Sequence, residues 1–247
     1  MNVKPIGEIA QINRYPVKSF AGQKLNSVTL ESYGLFGDRS HAFVDTTKKG
    51  WSRYITARQI PEMLCYRAEC DHELSTHEFP KVKIIGPDGR KHEWNDRLLE
   101  EIQAFTDQKI SMERFSLLSQ NRLAVDDGGI LIITDQSLKR IEQLWGKPVD
   151  SRRFRANFII KLYDDFNNND SFFIDKRITI GDAELSIQSL CERCAMITID
   201  PDNLERDTTL LKRVHEDMNL NFGMYADVVR AGAVQVGDQI YLSERVI

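Results

Sequence analysis

The chain has 247 residues, with 33 Lys+Arg against 37 Asp+Glu and a formal net charge of -4. That length suits one large domain or two small ones, and the acidic balance excludes a strongly basic nucleic-acid binder. No apolar run approaches the roughly 18–20 residues of a membrane span, the N-terminus lacks the apolar segment of a secretory signal, and four cysteines are too few for a disulfide scaffold. The expectation is a cytoplasmic protein with reduced thiols and no membrane or nucleic-acid partner.

Taken in chain order, residues 6–15 and 27–30 carry β-branched side chains and read as strands, with Ala21-Gly22-Gln23-Lys24 as turn material between them. Residues 82–85, then Gly86-Pro87-Asp88-Gly89 and a return over 91–94, form a hairpin pattern. After Asp96, the spacing of Leu98, Leu99, Ile102 and Phe105 predicts a helix. Thr134 or Asp135 caps a second, with Leu138, Ile141, Leu144 and Trp145 on its apolar face and Gly146 as its stop. Thr208 caps a third, bearing Leu210, Leu211, Val214 and Met218. Short strands are predicted at 130–133, 158–162, 178–180, 183–187, 195–199 and 239–242, and the acidic, Asn-rich stretch 164–170 reads as a surface loop. Strands outnumber helices and no βα period repeats. This predicts an α+β fold on a barrel or half-open sheet, and argues against a doubly wound parallel sheet.

The sharpest local feature is Cys191-Glu192-Arg193-Cys194, followed by Ala-Met-Ile-Thr-Ile and Asp200-Pro201. A thioredoxin-like pair needs its first cysteine before a helix, whereas the following residues read as a strand. A structural zinc site would need Cys65 and Cys70 as two further ligands. A plant-type iron–sulfur cluster would want another cysteine where Glu73 stands. The remaining option is one thiolate offered to a soft metal. His41, His72, His77, His92 and His215 show no ligand spacing and read as surface or structural residues.

Basic residues supply the second clue. Arg14 and Lys18 bracket Tyr15-Pro16-Val17, Arg39 follows Gly37-Asp38, and Arg152, Arg153 and Arg155 crowd around Phe154. Arg58 and Arg155 sit among small or apolar neighbours, where an unpaired guanidinium would be expensive. A bound phosphate would explain them, because guanidinium forks grip phosphate bidentately; ion pairing with the many carboxylates is the competing explanation.

The segments Tyr15-Pro16-Val17-Lys18-Ser19, Leu35-Phe36-Gly37-Asp38-Arg39, Thr56-Ala57-Arg58-Gln59, Arg153-Phe154-Arg155-Ala156-Asn157, Cys191-x-x-Cys194-x4-Ile199-Asp200-Pro201 and Phe222-Gly223-Met224-Tyr225 resemble, in order, those of MOSC-domain proteins. The chain looks like the group holding the mitochondrial amidoxime-reducing component and its bacterial relatives. It implies a β-barrel-rich MOSC fold with a smaller N-terminal β-barrel-like domain over 1–115 and the MOSC domain over 116–247, the first strands packing into the latter. It also implies molybdopterin cofactor, with Cys194 as the catalytic thiolate on molybdenum and Cys191 off the metal. Lys18, Ser19, Arg39, Arg58, Asp126, Arg155, Asn157 and Tyr225 match positions lining the cofactor site. One departure stands out: the family's Asp is followed by Thr and Ser, whereas Asp126 here is followed by Asp127 and Gly128.

The activity implied is reduction of N-hydroxylated or N-oxide compounds. The chain has no flavin fingerprint, no haem-attachment motif and no ferredoxin cysteine run, so electrons are expected from a separate ferredoxin- or flavodoxin-like protein. The alternative is a module that binds the cofactor without redox turnover, or a sulfur carrier with a persulfide on Cys194.

Overall fold

The computed structural model describes residues 4–70, 81–115, 128–166 and 168–243. Three α-helices stand among them: α1 (Asp96–Gln103), α2 (Asp135–Trp145) and α3 (Thr208–Met218). Seven strands close into a barrel: β1 (Gly7–Arg14), β2 (Ile130–Thr134), β3 (Phe158–Leu162), β4 (Arg177–Ile180), β5 (Ala183–Glu192), β6 (Asn221–Arg230) and β7 (Gln239–Ser243). Around the barrel they run β3–β2–β6–β5–β4–β7–β1, and β1 pairs back onto β3 with Gly7 opposite Leu162. All neighbours are antiparallel except β2 and β3, which are parallel and joined through α2. The fold is the α+β, barrel-rich class expected.

The all-apolar run Ile130-Leu131-Ile132-Ile133 shows why β2 carries no polar alternation. Ile130 and Ile132 point into the barrel with Ile12, Phe158, Ile187 and Met224. Leu131 and Ile133 point outward beneath α2 and α3, among Ile141, Leu210 and Val214. Both faces of the strand are buried, so both are apolar. The N-terminal half adds a second core, in which Phe20, Phe43, Tyr66 and Ile84 pack beneath Leu98 and Ile102 of α1. Small sheets surround it: Arg67–Cys70 with Val82–Ile85 and Lys91–Glu93, and His41–Asp45 with Ile110–Arg114. Ser27–Glu31 pairs with Gly232–Gln235 near the other end of the chain.

Several local expectations change. Residues 195–199 do not form a strand. Ala195–Thr198 is a single 3-10 turn, closed by Thr198 Oγ1 donating to the Ala195 carbonyl at 2.7 Å, and Ile197 and Ile199 are buried by packing rather than by sheet alternation. Residues 221–230 form a full barrel strand, and β5 runs on to Glu192 through irregular pairings at Ile187/Ser189 and Leu190/Glu192. Phe105 lies beyond the end of α1 and is exposed. Asp207, not Thr208, caps α3 by accepting the Thr209 N–H at 2.9 Å, as a carboxylate at a helix N-terminus should. Gln23–Leu25, expected partly as turn, pairs with β1.

The stretch 164–170 is not wholly a surface loop, because Asp170 is buried. Its Oδ1 accepts from Ser137 Oγ at 2.7 Å and its Oδ2 from the Gly223 N–H at 2.9 Å, tying α2 to β6. Removing the carboxylate strands two buried donors. Asp170→Ala is therefore expected to lower unfolding free energy by about 2–3 kcal/mol in urea denaturation; a loss below about 0.5 kcal/mol would contradict this.

Candidate functional site

The site is organised around Asp38, which is 1% exposed. Its Oδ1 accepts the Tyr15 N–H at 2.7 Å; its Oδ2 accepts from Asn157 Nδ2 at 3.1 Å and pairs with the Arg39 guanidinium. Asn157 spends its whole amide on protein partners. Its Oδ1 receives the Leu131 N–H and Arg39 Nη1, each at 3.0 Å, while Nδ2 also reaches the Asn13 carbonyl at 3.3 Å. With both acceptor sites and both hydrogens used, Asn157 holds Arg39 in place and has no amide group left to offer.

Arg39 Nη2 donates to the Arg155 carbonyl at 3.0 Å, and Arg155 Nη1 to the Phe20 carbonyl at 2.8 Å. The two guanidinium groups flank the buried Tyr15 ring, with centroid distances of 4.7 Å and 4.3 Å. Burial keeps the Tyr15 phenol protonated despite these cations. Ser19, Arg39 and Arg155 all take left-handed backbone, with φ of 69°, 47° and 56°. Such conformations are unfavourable for non-glycine residues and persist only where surroundings enforce them. Three of them lining one cleft mark it as a built feature.

That cleft has a volume of about 500 Å³, within the roughly 300–1,000 Å³ range of ligand pockets. Of the residues expected to act together, it brings together Lys18, Ser19, Arg39, Arg58, Arg155, Asn157, Cys194 and Tyr225. Asp126 lies outside the described residues. Lys18 is buried with its ammonium 4.3 Å from the Trp51 ring centroid and 5.5 Å from that of Tyr54. Arg58 is exposed at the rim, not enclosed by apolar neighbours; its Nε contacts Thr56 Oγ1 at 3.3 Å. Arg152 pairs at the surface with Asp150 and Asp202, and Arg153 pairs with Asp200 at 2.6 Å, so ion pairing accounts for these two. Arg14 is buried structurally, donating to the Phe36 and Cys70 carbonyls.

Cys194 is exposed at the cleft wall and begins the 3-10 turn. The thioredoxin arrangement is absent for a different reason than the expected strand: the cysteine before the turn is the second of the pair, and Cys191 is buried on β5. Arg193 anchors the loop. Its backbone N–H reaches the Leu220 carbonyl at 2.8 Å, Nε the Phe222 carbonyl at 2.8 Å and Nη1 the Phe154 carbonyl at 3.0 Å. Cys194 is thus tied, through its neighbour, to the turn carrying Arg155 and the strand carrying Tyr225. Cys70 and Cys191 lie in separate cores, and the described residues contain no cluster of three or more metal-ligating side chains, so they do not assemble the four-cysteine zinc option.

Of the Asp127-Gly128 departure, Asp127 lies outside the described residues, and Gly128 has a steric reason. A Cβ on Gly128 would lie 2.7 Å from the Tyr225 Cβ, and one on Gly129 would lie 2.6 Å from the Tyr33 carbonyl oxygen. At residue 128 the chain passes too close to Tyr225 for the Ser of the family pattern. The cleft also includes Trp51, Arg153, Glu192 and Met196, which were not expected as site residues. Arg153 and Glu192 lie inside motifs already singled out, whereas Trp51 carries no local signal.

Known proteins agree with this architecture. The MOSC N-terminal beta barrel domain matches residues 6–116 and the MOSC domain residues 119–241; the chain belongs to the MOSC family. It is 25% identical to mitochondrial amidoxime reducing component 2 of Macaca fascicularis and 23% identical to mitochondrial amidoxime-reducing component 1 of Homo sapiens. Each match covers 97% of this chain and 84% of the relative. A molybdenum cofactor sulfurase of Caenorhabditis elegans is 28% identical over 106 residues, 41% of this chain and 14% of that protein. The crystal structure of YUAD protein from Bacillus subtilis aligns with a TM-score of 0.50 at 13% identity, covering 96% of each chain, a likeness of fold alone. These relatives point to a function associated with the molybdenum cofactor. None of the described helices is long and apolar enough to cross a membrane.

His41 offers a pH test of the site's foundation, since its carbonyl accepts the Lys18 N–H at 2.9 Å. Burial, with repulsion from Arg114, lowers its imidazole pKa to about 3. The unfolded chain, near 6.5, takes up the proton first, so stability is full above about pH 6.5 and falls as pH drops towards 3. In urea titrations, His41→Gln should flatten this acid-side loss; parallel wild-type and variant curves would contradict the assignment.

Proposed function

We propose that the cleft binds molybdopterin cofactor and that the protein reduces N-hydroxylated or N-oxide compounds with electrons from a separate ferredoxin- or flavodoxin-like protein. The observation that carries this reading is an exposed soft thiol sharing one cavity with a wall of cations. A thiol suits a soft metal, and guanidinium and ammonium groups suit a phosphate. When bound, the cofactor supplies two-electron redox chemistry at molybdenum.

The chain's own residues have distinct parts in this reading. Cys194 gives the protein thiolate ligand. Lys18, Arg39 and Arg155 neutralise the cofactor's phosphate, with Arg58 contributing from the rim. Ser19 and Tyr225 line its walls, Asn157 orients Arg39, and Asp126 keeps the role its family position implies. The N-terminal domain, 1–115, supplies Lys18, Ser19, Arg39 and Arg58, while the MOSC domain, 116–247, supplies the rest, so neither forms the site alone. Relatives named as a reducing "component" support a separate electron donor. The reduced thiol suits the cytoplasm.

Metal analysis with pterin fluorescence of freshly purified protein tests the cofactor, and reduction of a model amidoxime with a chemical reductant tests the reaction. Stoichiometric molybdenum and turnover are expected, with Cys194→Ser losing roughly 100-fold or more in activity. Full molybdenum-dependent activity in Cys194→Ser would contradict the reading. The sulfurase relative makes one other result informative: a sulfane adduct on Cys194 without molybdenum would instead identify a sulfur carrier.

A further inference from the structure

The cleft has an electrostatic direction. Five of its lining residues are cationic, namely Lys18, Arg39, Arg58, Arg153 and Arg155, and Glu192 is the one carboxylate among the described lining residues. Two of the cations are already matched by carboxylates in the wall, Arg39 by Asp38 and Arg153 by Asp200. Glu192 enters no ion pair with any of them among the described residues, and it is exposed. Its place is fixed by its backbone: it ends β5, and its carbonyl receives the Cys191 thiol at 3.7 Å. Cys194 lies two residues further on.

A carboxylate in an anion-binding cavity weakens that function, because it repels the phosphate the cations attract. Glu192 lines the same cavity as Cys194, two residues along the chain, so its charge repels phosphate from the stretch of wall that carries the thiol. It also adds a negative charge to the cavity into which Cys194 is exposed. Apolar surface in the same wall comes from Met196, two residues beyond Cys194. A carboxylate next to such surface suits a flat cationic group.

We infer that Glu192 is a specificity-determining residue that selects substrates which become cationic on reduction, N-hydroxylated amidines and guanidines, over those whose products stay neutral. The inference rests on the reductase reading above. Reduction of an amidoxime breaks the N–O bond. Two electrons from the redox-protein donor and two protons convert R–C(=NOH)NH2 to the amidine and water, and a third proton gives the amidinium. Positive charge therefore appears on the substrate as the reaction proceeds. A carboxylate facing it favours the later, charged species over the neutral starting compound, the differential interaction that raises turnover. A hydroxamic acid, reduced to a neutral amide, gains nothing from it.

Two measurements test this with Glu192→Gln, which preserves shape and removes charge. In protein saturated with inorganic phosphate, benzamidinium binding followed by calorimetry should weaken about tenfold in the variant, the scale of a lost charged hydrogen bond. Binding of neutral benzamide should change far less. In the holoenzyme with a chemical reductant, the ratio of kcat/KM for benzamidoxime over benzohydroxamic acid should fall by a similar factor. Equal benzamidinium affinity in both proteins, or an equal loss for benzamide, would overturn the inference. Absence of molybdenum and of turnover in the wild type would instead sink the reductase reading, and the binding measurement would still decide the part played by Glu192.

Discussion

Asp38 is a buried carboxylate on which three distant stretches of chain converge: Tyr15 at the end of the first strand, Arg39 beside it, and Asn157 at the start of β3. A carboxylate this buried is tolerable only when its oxygens are paired, and here the partners are the residues that shape the cleft. Asn157 passes the constraint on to β2 through the Leu131 N–H, and Arg39 passes it to the carbonyl of Arg155. The left-handed backbone at Arg39 and Arg155 is held by this network, so the cations stand in the wall in a geometry their own φ preferences would resist. Pre-organisation of this kind is what a cation wall needs to grip phosphate without reordering.

The same network joins the two family regions. Arg155 reaches the Phe20 carbonyl, Arg206 reaches the Arg58 carbonyl at 3.1 Å, and the strand near residue 30 pairs with one near residue 233. A binding cleft between such parts inherits chemistry from both sides. The N-terminal side brings Lys18 and Arg58, and the barrel side brings Cys194 and Glu192. The result is a cavity in which cations from both sides, Arg155 among them, share the wall with one soft thiol and one carboxylate.

Much of this was legible in the residues. The run Ile130–Ile133, the Thr134 cap and the Gly146 stop foretold β2 and α2 because they depend on local propensity and burial alone. Motif order brought the cleft-lining residues within reach, since each motif is short and contiguous. What escaped depended on tertiary contact. Residues 195–199 look like a strand, yet only Ile199 pairs, in a single bridge to Arg206, and Thr198 closes a turn instead. Asp170 sits in a polar stretch that suggests solvent, but two buried donors claim its carboxylate. Trp51 reaches the cleft by lying over Lys18, a contact across more than thirty residues that no spacing encodes. Gly128 reads as a lost hydroxyl until the Tyr225 side chain behind it is seen to leave no room for one.

In the proposed reading, Cys194 and the cation wall form one cofactor site. X-ray absorption at the molybdenum edge of the purified protein tests it most directly, by comparing wild type with Cys194→Ser. Bound molybdenum should show one more sulfur ligand in the wild type than in the variant. Identical sulfur coordination in the two proteins would contradict it.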